Sequence, residues 1–226
     1  MRERALQLLK EIEADIARNR LILPSLPAVA VRARQLLARP NCDVKALVQL
    51  ISKDAAMTAR LLKVANSSLM SRGRPVNSLQ QAIVSLGFNL VSSLITQMAI
   101  LQTMNKSHDA SRLEGFVAGS LRISSLLYSI ASQFEHLDAE LAALGGLLHD
   151  IGKLPLRDYL YNNPDFTAEE RLQFELILHP YIGAILLRHW GMPSVLVEIA
   201  FFHERIMRDS PDSLPDYIDV LTSSPP

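Results

Sequence analysis

Residues 141–153 read LAALGGLLHDIGK, an apolar run that ends in an adjacent histidine and aspartate. Leucine and alanine dominate the run, and both favour helices. Asp138 stands just before it, where an aspartate caps the start of a helix. Gly145 and Gly146 leave room for a second helix to approach closely. The stretch therefore predicts a buried helix that carries His149 and Asp150 at its carboxyl end.

The composition extends this helical pattern to the whole chain. Of the 226 residues, 49% are hydrophobic, which is enough for a sizeable core. Aromatic residues make up only 6%, and apolar residues recur at helical spacing almost throughout. No strand pattern of convincing length appears, so the sequence predicts an all-α fold. Helices are predicted to cover 2–18, 88–104, 111–134 and 194–208. Further helices are predicted to begin after Asp43, Asp54, Ser78, Asp138 and Thr167.

Three features predict where these helices end or begin. Gly87 is expected to end the helix that Ser78 opens. Thr167 and Glu170 have the spacing of a capping box, in which each residue bonds the backbone of the other. Pro180 is expected to end or kink the helix that follows Thr167, because proline lacks a backbone N–H.

Charge and cysteine content restrict the class of protein. Lysine plus arginine equals aspartate plus glutamate, at 23 each, so the chain has no net charge that would attract nucleic acid or an anionic membrane. We therefore expect no direct nucleic-acid partner and no membrane partner. A single cysteine, Cys42, excludes a disulfide framework. Together with a charged first helix that is unlike a secretory signal, this favours the cytoplasm.

The histidine–aspartate pair is the strongest candidate for chemistry. Adjacent imidazole and carboxylate groups can bind one divalent metal, and Lys153, one turn further on, can face a phosphate oxygen. The alternative is that the pair merely caps a helix or lies at the surface. His179 and His203 follow at wide spacing, near the ends of two amphipathic helices. They either join the same site or are satisfied core residues.

Three motifs in order, LLHDIGKL, ELILHPYIGAILLRHWGMP and AFFHE, resemble the HD superfamily of metal-dependent phosphohydrolases. The chain resembles most the HDOD branch, the HD-related output domain of bacterial signalling proteins. Its first half is similar to the N-terminal part of that branch, in LPSLPAVAVRARQLL, ISKDAAMTARLLKVANSSLM and PVNSLQQAIVSLG. The resemblance implies one HDOD domain over about 20–210, a multi-helix bundle of two packed lobes. The first lobe would span 1–104, and the second, HD-like lobe 105–226.

The resemblance also assigns metal ligands. It implies that His149, Asp150, His179 and His203 bind a divalent metal, Fe, Mn, Ni or Zn, at low occupancy. A histidine ligand of catalytic members falls at Gly119, in the run GSLRI at 119–123. Phe202 stands where some branches have another histidine, and Asp219 is the candidate for the closing aspartate. The GYP motif of the cyclic di-GMP phosphodiesterase branch is absent. The HD site is therefore expected to be degenerate.

The function implied is a bacterial signal-transduction or regulatory module that binds a signalling protein or a nucleotide-type ligand. The alternative is a metal-dependent phosphohydrolase or phosphodiesterase that acts on a nucleotide or another phosphate ester. Asp54, Asn66 and Ser67 are either helix caps or the lining of a groove for the partner or nucleotide. The helix at 2–18 docks either on the core or on a second subunit, which leaves a homodimer open.

Overall fold

A computed structural model describes residues 1–18, 23, 28–37, 43–67, 75–88, 90–92, 94–95, 98, 110–205 and 214–222. This part of the chain contains helices and no strand, so the predicted all-α fold is confirmed. The helices are α1 (Arg2–Ala17), α2 (Ala28–Leu37), α3 (Val44–Ile51), α4 (Ala55–Ala65), α5 (Leu79–Leu86), α6 (Ala110–Ala131), α7 (Ala139–Leu148), α8 (Lys153–Tyr161), α9 (Ala168–His189), α10 (Ser194–Phe202) and α11 (Tyr217–Thr222). The described residues between 88 and 98 are also helical, whereas 99–109 lie outside the described residues.

The predicted helix starts are confirmed by their capping bonds. Each capping side chain accepts a hydrogen bond from a backbone N–H of the first turn: Asp43 from Lys45, Asp54 from Met57, Ser78 from Gln81, and Asp138 from Glu140 and Leu141. Thr167 and Glu170 form the predicted capping box. Gly87 follows α5 with a φ of 80°, which a glycine adopts without strain.

The ends of α9 and α10 differ from those predicted. Pro180 was expected to end or kink its helix, and it does not end it, because α9 continues to His189. The side chains of Leu178, Pro180 and Ile182 are all buried, and this burial outweighs the missing hydrogen bond. Helix α10 was expected to reach 208 but ends at Phe202, with His203 as its cap.

The buried residues in the described ranges form three apolar clusters. One joins α2–α5 and the described residues of 88–98, and it includes Leu121 of α6 and Leu147 of α7. A second joins α6 to α11 and includes Leu154 of α8. A third joins α1, α8 and α9. The lobe boundary predicted near 104 lies outside the described residues.

Helix α1 docks on the core of its own chain. Its apolar stripe of Ala5, Leu8, Leu9 and Ile12 is buried against α8 and α9. The helix was expected to dock either on the core or on a second subunit, and the structure shows it docked on the core. No helix in the described ranges combines the length and apolar character needed to cross a membrane.

Candidate metal centre

His149 and Asp150 lie in the tight turn between α7 and α8, and a glycine sets the position of this turn. A Cβ built on Gly152 would lie 2.1 Å from the carbonyl oxygen of His179 and 2.4 Å from the backbone nitrogen of Gly183. Only a glycine lets the turn approach α9 so closely. The approach brings Asp150 beside His179, 29 positions further along the sequence.

One carboxylate oxygen and two imidazoles meet at this point. Asp150 Oδ1 lies 3.1 Å from His179 Nε2 and 3.4 Å from His203 Nε2. The two Nε2 atoms lie 2.9 Å from each other. Among the described residues, Asp150, His179 and His203 form a group whose ligand atoms all lie within 4.8 Å of one another.

The backbone holds the two imidazole rings in place. Nδ1 of His179 lies 2.8 Å from the carbonyl oxygen of Glu175, and Nδ1 of His203 lies 2.8 Å from that of Ala200. A carbonyl only accepts, so Nδ1 of each ring is the donor in this bond, and Nε2 is the nitrogen that faces Asp150. Hydrogen bonds of this kind hold histidine ligands in many metal sites.

Three atoms that can each bind a metal, Asp150 Oδ1 and the two Nε2 atoms, therefore face each other. Asp150 Oδ1 is also buried and has no well-aligned hydrogen-bond partner among the described residues. A buried oxygen in that state is costly, and a cation between the three atoms removes the cost. Two imidazole nitrogens and a carboxylate oxygen suit a divalent ion such as Zn, Fe, Mn or Ni. The residues present thus fit a metal.

His149 lies beside this group and offers a fourth possible metal ligand. Its Nδ1 faces the carbonyl oxygen of Gly146 at 2.7 Å, and its Nε2 lies 3.5 Å from the other carboxylate oxygen of Asp150. Its ring meets that of His203 edge to face, with centroids 5.1 Å apart. Burial lowers the pKa of His149 to about 4, so the ring is neutral at pH 7 and its lone pair is available.

Asp150 is held as a carboxylate. Burial by itself would raise its pKa, but the imidazoles of His179 and His203 and the charge of Lys153 outweigh burial and hold the pKa well below its usual range. Lys153 Nζ lies 2.5 Å from Asp150 Oδ2. Sequence reasoning placed Lys153 against a phosphate, whereas in the structure it forms an ion pair with the candidate ligand.

A cavity of about 710 Å³ opens beside Asp150. Gly119, His149, Asp150 and Lys153 all line it, so α6 brings Gly119 to the side of the metal group. A Cβ built on Gly119 would have no atom within 4 Å of it. The position therefore opens into free space and supplies no ligand.

Phe202 and Asp219 contribute no ligand to the described group. The ring of Phe202 packs edge to face on Phe201, with centroids 4.8 Å apart, and under the guanidinium of Arg205. The carboxylate of Asp219 accepts a hydrogen bond from the backbone N–H of Asp216 at the start of α11.

The three residues expected to be helix caps or the lining of a groove lie at the two ends of α4. Asp54 caps its start, whereas Asn66 and Ser67 follow its last turn. The side-chain amide of Asn66 bonds both the N–H and the carbonyl of Val76, at 2.8 and 2.7 Å, and so holds the chain that leads to α5. Ser67 donates to the carbonyl of Val64 at 2.7 Å. None of the three lines the cavity beside Asp150.

Sequence reasoning missed two acidic residues of the site. Glu204 Oε1 lies 3.5 Å from His179 Nε2 and 3.7 Å from His203 Nε2. It follows His203 directly in the motif AFFHE, which was the available signal. Glu175 pairs with Arg157 through two hydrogen bonds of 2.6 and 2.7 Å at the cavity wall. No sequence signal pointed to this pair.

Comparison with known proteins shows which family and which proteins the chain is similar to. The HDOD domain model matches residues 23–206. A cyclic di-GMP phosphodiesterase of Pseudomonas aeruginosa is 29% identical over 206 residues, which cover 87% of this chain and 48% of that protein. An uncharacterized protein of Treponema pallidum is 22% identical over 207 residues, or 87% of this chain and 40% of that protein. The chain thus spans less than half the length of either relative.

Solved structures give the same fold. The structure of a candidate metal-dependent phosphohydrolase from Shewanella amazonensis matches with a TM-score of 0.78 and 26% identity, and covers 96% of this chain and 81% of that one. An HDOD domain protein from Geobacter sulfurreducens matches with a TM-score of 0.64 and 21% identity, over 97% of this chain and 76% of that one.

Proposed function

Because the chain belongs to the HDOD domain family, we propose that it is a bacterial signalling module in which a divalent metal helps to bind a ligand rather than to hydrolyse it. Asp150, His179 and His203 would hold the metal, with His149 beside them. The observation that carries this proposal is that two imidazole nitrogens meet a buried carboxylate oxygen that has no well-aligned hydrogen bond.

The arrangement of donors favours binding over catalysis. A metal in such a site can activate a water and neutralise charge on a phosphate. Gly119 supplies no ligand on the cavity side, and the ring of Phe202 packs against Phe201 instead. Lys153 neutralises Asp150 and so reduces the negative charge that would hold the ion. A weakly held ion with an open side suits a receptor for a ligand.

The partner is proposed to be a nucleotide-type ligand or another signalling protein. The relative from Pseudomonas aeruginosa, a cyclic di-GMP phosphodiesterase, supports a link to nucleotide signalling. The chain spans 48% of that relative, so the likeness covers less than half of the longer protein.

A pair of histidine variants on one helix tests the metal site. Purified protein is loaded with Mn, Fe, Ni or Zn, and bound metal is measured by elemental analysis and calorimetry. We expect about one metal ion per wild-type chain, as for a single preformed site. His179→Ala should lose it, whereas His189→Ala, an exposed histidine of the same α9, should keep it. Equal metal content in the two variants would refute the proposed site.

The second candidate function is a metal-dependent phosphohydrolase. It is favoured by Lys153, which lines the cavity next to Asp150 and can turn toward a phosphate oxygen. Metal-loaded protein is incubated with cyclic di-GMP, nucleotides and a chromogenic phosphodiester. Turnover that disappears in the double variant His149→Ala, Asp150→Ala would establish hydrolysis and displace the binding-only role.

A further inference from the structure

Helix α9 carries α1 on one face and the metal group on another. Leu178 and Ile182 lie in the apolar cluster that buries α1. His179 is a candidate metal ligand, and Gly183 lies against the α7–α8 turn that holds Asp150. Successive residues of an α-helix point about 100° apart, so neighbouring residues of α9 serve the two surfaces. A shift of α9 relative to α1 therefore also moves His179 relative to Asp150.

Helix α8 connects α1 to the same histidine. Leu156 and Leu160 of α8 lie in the apolar cluster with α1. Arg157, the neighbour of Leu156, forms two hydrogen bonds with the carboxylate of Glu175 on α9. The backbone carbonyl of Glu175 lies 2.8 Å from Nδ1 of His179. The contact between α1 and α8 is thus linked to His179 through one ion pair and one hydrogen bond.

Helix α1 also contacts the start of α9. Arg4 pairs with Glu170, whose side chain completes the capping box of α9. The guanidinium of Arg4 lies over the ring of Phe174, 5.8 Å from its centroid. The contacts of α1 therefore follow α9 from its first turn to Ile182, beyond the position of the metal ligand.

Helix α1 is an outer layer with few buried side chains. Of its 16 residues, Ala5, Leu8, Leu9 and Ile12 are buried, and no side chain caps its first turn. A helix with few buried apolar contacts opens locally at a lower free energy than the core does. Opening of α1 therefore costs less than unfolding of the two helices that it covers.

A metal site is sensitive to small shifts of the elements that carry its ligands. The three ligand atoms come from the α7–α8 turn, from α9 and from the end of α10. Asp150 Oδ1 lies 3.1 Å from His179 Nε2 and 3.4 Å from His203 Nε2. Coordination distances in protein sites vary by only about 0.2 Å, so a shift of α9 of a few tenths of an ångström weakens the hold on an ion.

We propose that α1 is a regulatory element of the metal site. Docked α1 holds α8 and α9 in the position that binds the ion, and displacement of α1 lowers the metal affinity. This inference rests on the proposed metal site and adds how that site is controlled. Coupling of this kind is reciprocal, so a bound ion also strengthens the docking of α1. A signal that displaces α1 then releases the ion without contact with the metal ligands.

Hydrogen exchange of the full chain tests the effect of metal on α1. Amide exchange is measured by mass spectrometry with and without saturating Mn²⁺. We expect Mn²⁺ to slow exchange in α1, α8 and α9 about tenfold, within the usual range for coupled sites. Exchange in α3–α5 should change less than about twofold, because their apolar cluster contains no residue of α8 or α9. Mn²⁺ should leave α1 unchanged in His179→Ala and slow it as in the wild type in His189→Ala.

Two leucines of α1 test the reverse direction by calorimetric titration with Mn²⁺. Leu9 is buried in the cluster with α8 and α9, so Leu9→Ala should weaken Mn²⁺ binding about tenfold. Leu6 is 37% exposed on the same helix, and Leu6→Ala should bind Mn²⁺ as the wild type does. Leu61→Ala controls for a general loss of stability. It truncates a fully buried leucine of α4, in the cluster that contains no residue of α8 or α9, and should keep the wild-type Mn²⁺ affinity.

The outcomes separate the two proposals. Mn²⁺ bound by the wild type, with exchange in α1 unchanged or slowed no more than in α3–α5, would overturn the regulatory role and leave the metal site standing. Equal Mn²⁺ affinity in Leu9→Ala and Leu6→Ala would also overturn it, as would equal losses in Leu9→Ala and Leu61→Ala. A wild type that binds no metal would refute the proposed function and this inference with it.

Discussion

His149 and His203 each perform two roles at the end of a helix. Each follows the last residue of its helix, and each Nδ1 faces the carbonyl oxygen three residues earlier, at 2.7 and 2.8 Å. The last carbonyls of a helix lack an intrahelical partner, so the imidazole satisfies one of them. This same bond turns Nε2 toward Asp150. The capping role and the ligand role proposed for His149 are therefore compatible.

At the residue scale, Glu204 should contribute to metal binding. Its carboxylate oxygen lies within 3.7 Å of both Nε2 atoms and its side chain is 55% exposed, so it can move onto a bound ion at little cost. We expect Glu204→Gln to weaken Mn²⁺ or Zn²⁺ binding about tenfold, which corresponds to roughly 1.4 kcal/mol. Calorimetric titration of the metal-free protein measures this affinity.

The control for this prediction is Glu198→Gln. Glu198 is an exposed glutamate on α10, and its replacement by glutamine removes the same charge from the chain. A loss of affinity equal to that of Glu204→Gln would mean that overall charge, and not contact with the ion, explains the effect.

At the element scale, the site depends on how closely the α7–α8 turn approaches α9. Gly152 lies against the backbone of His179 and Gly183, and Gly183 in turn lies close to Gly152 and Ala200. Two glycines from elements distant in sequence thus form one contact. This contact sets the separation between Asp150 and His179.

Gly152→Ala should separate these elements. The new methyl group would meet backbone atoms at 2.1 and 2.4 Å, which cannot move as a flexible side chain can. We expect the free energy of unfolding to fall by about 3 kcal/mol, as for other over-packed sites. Urea denaturation measures this loss, and metal titration should show weaker binding because Asp150 moves away from His179.

Gly115→Ala provides the contrast. A methyl group at Gly115 meets nothing within 4 Å, and alanine favours a helix over glycine by about 1 kcal/mol. This variant should be slightly more stable than the wild type. Similar losses in both glycine variants would show that the close approach at Gly152 is not what limits stability.

At the scale of the whole molecule, α1 adds a layer behind α8 and α9, the two site helices. It lies before the stretch matched by the HDOD model, 23–206, and it covers apolar side chains of α8 and α9. Those two helices carry Lys153, Arg157 and Glu175 on the cavity wall and His179 in the metal group. Arg4 of α1 also pairs with Glu170 of α9.

Ile12→Ala should weaken this layer. Ile12 is almost fully buried between α1 and the site helices, so truncation leaves a cavity that costs about 2–4 kcal/mol. Urea denaturation of the full chain measures the change. Leu6→Ala, at a partly exposed position on the same helix, should cost less than about 1 kcal/mol. Equal losses in the two variants would argue against the observed packing of α1.

The amino-acid sequence by itself determined the helical class and most helix starts. The capping bonds of Asp43, Asp54, Ser78 and Asp138 each join atoms no more than three residues apart, so they follow from local sequence. The HD pair and the motifs around it also identified the family, which the match over 23–206 confirms.

Only the tertiary structure decided which side chains meet. His179 and His203 stand 24 residues apart, yet their Nε2 atoms lie 2.9 Å from each other. The ion pair of Lys153 with Asp150, the position of Glu204 and the open space over Gly119 likewise depend on how the helices pack. Local hydrogen bonds reach three or four residues along the chain. Contacts across the site instead require helices to approach through glycines, and no local pattern encodes the partner of such a contact.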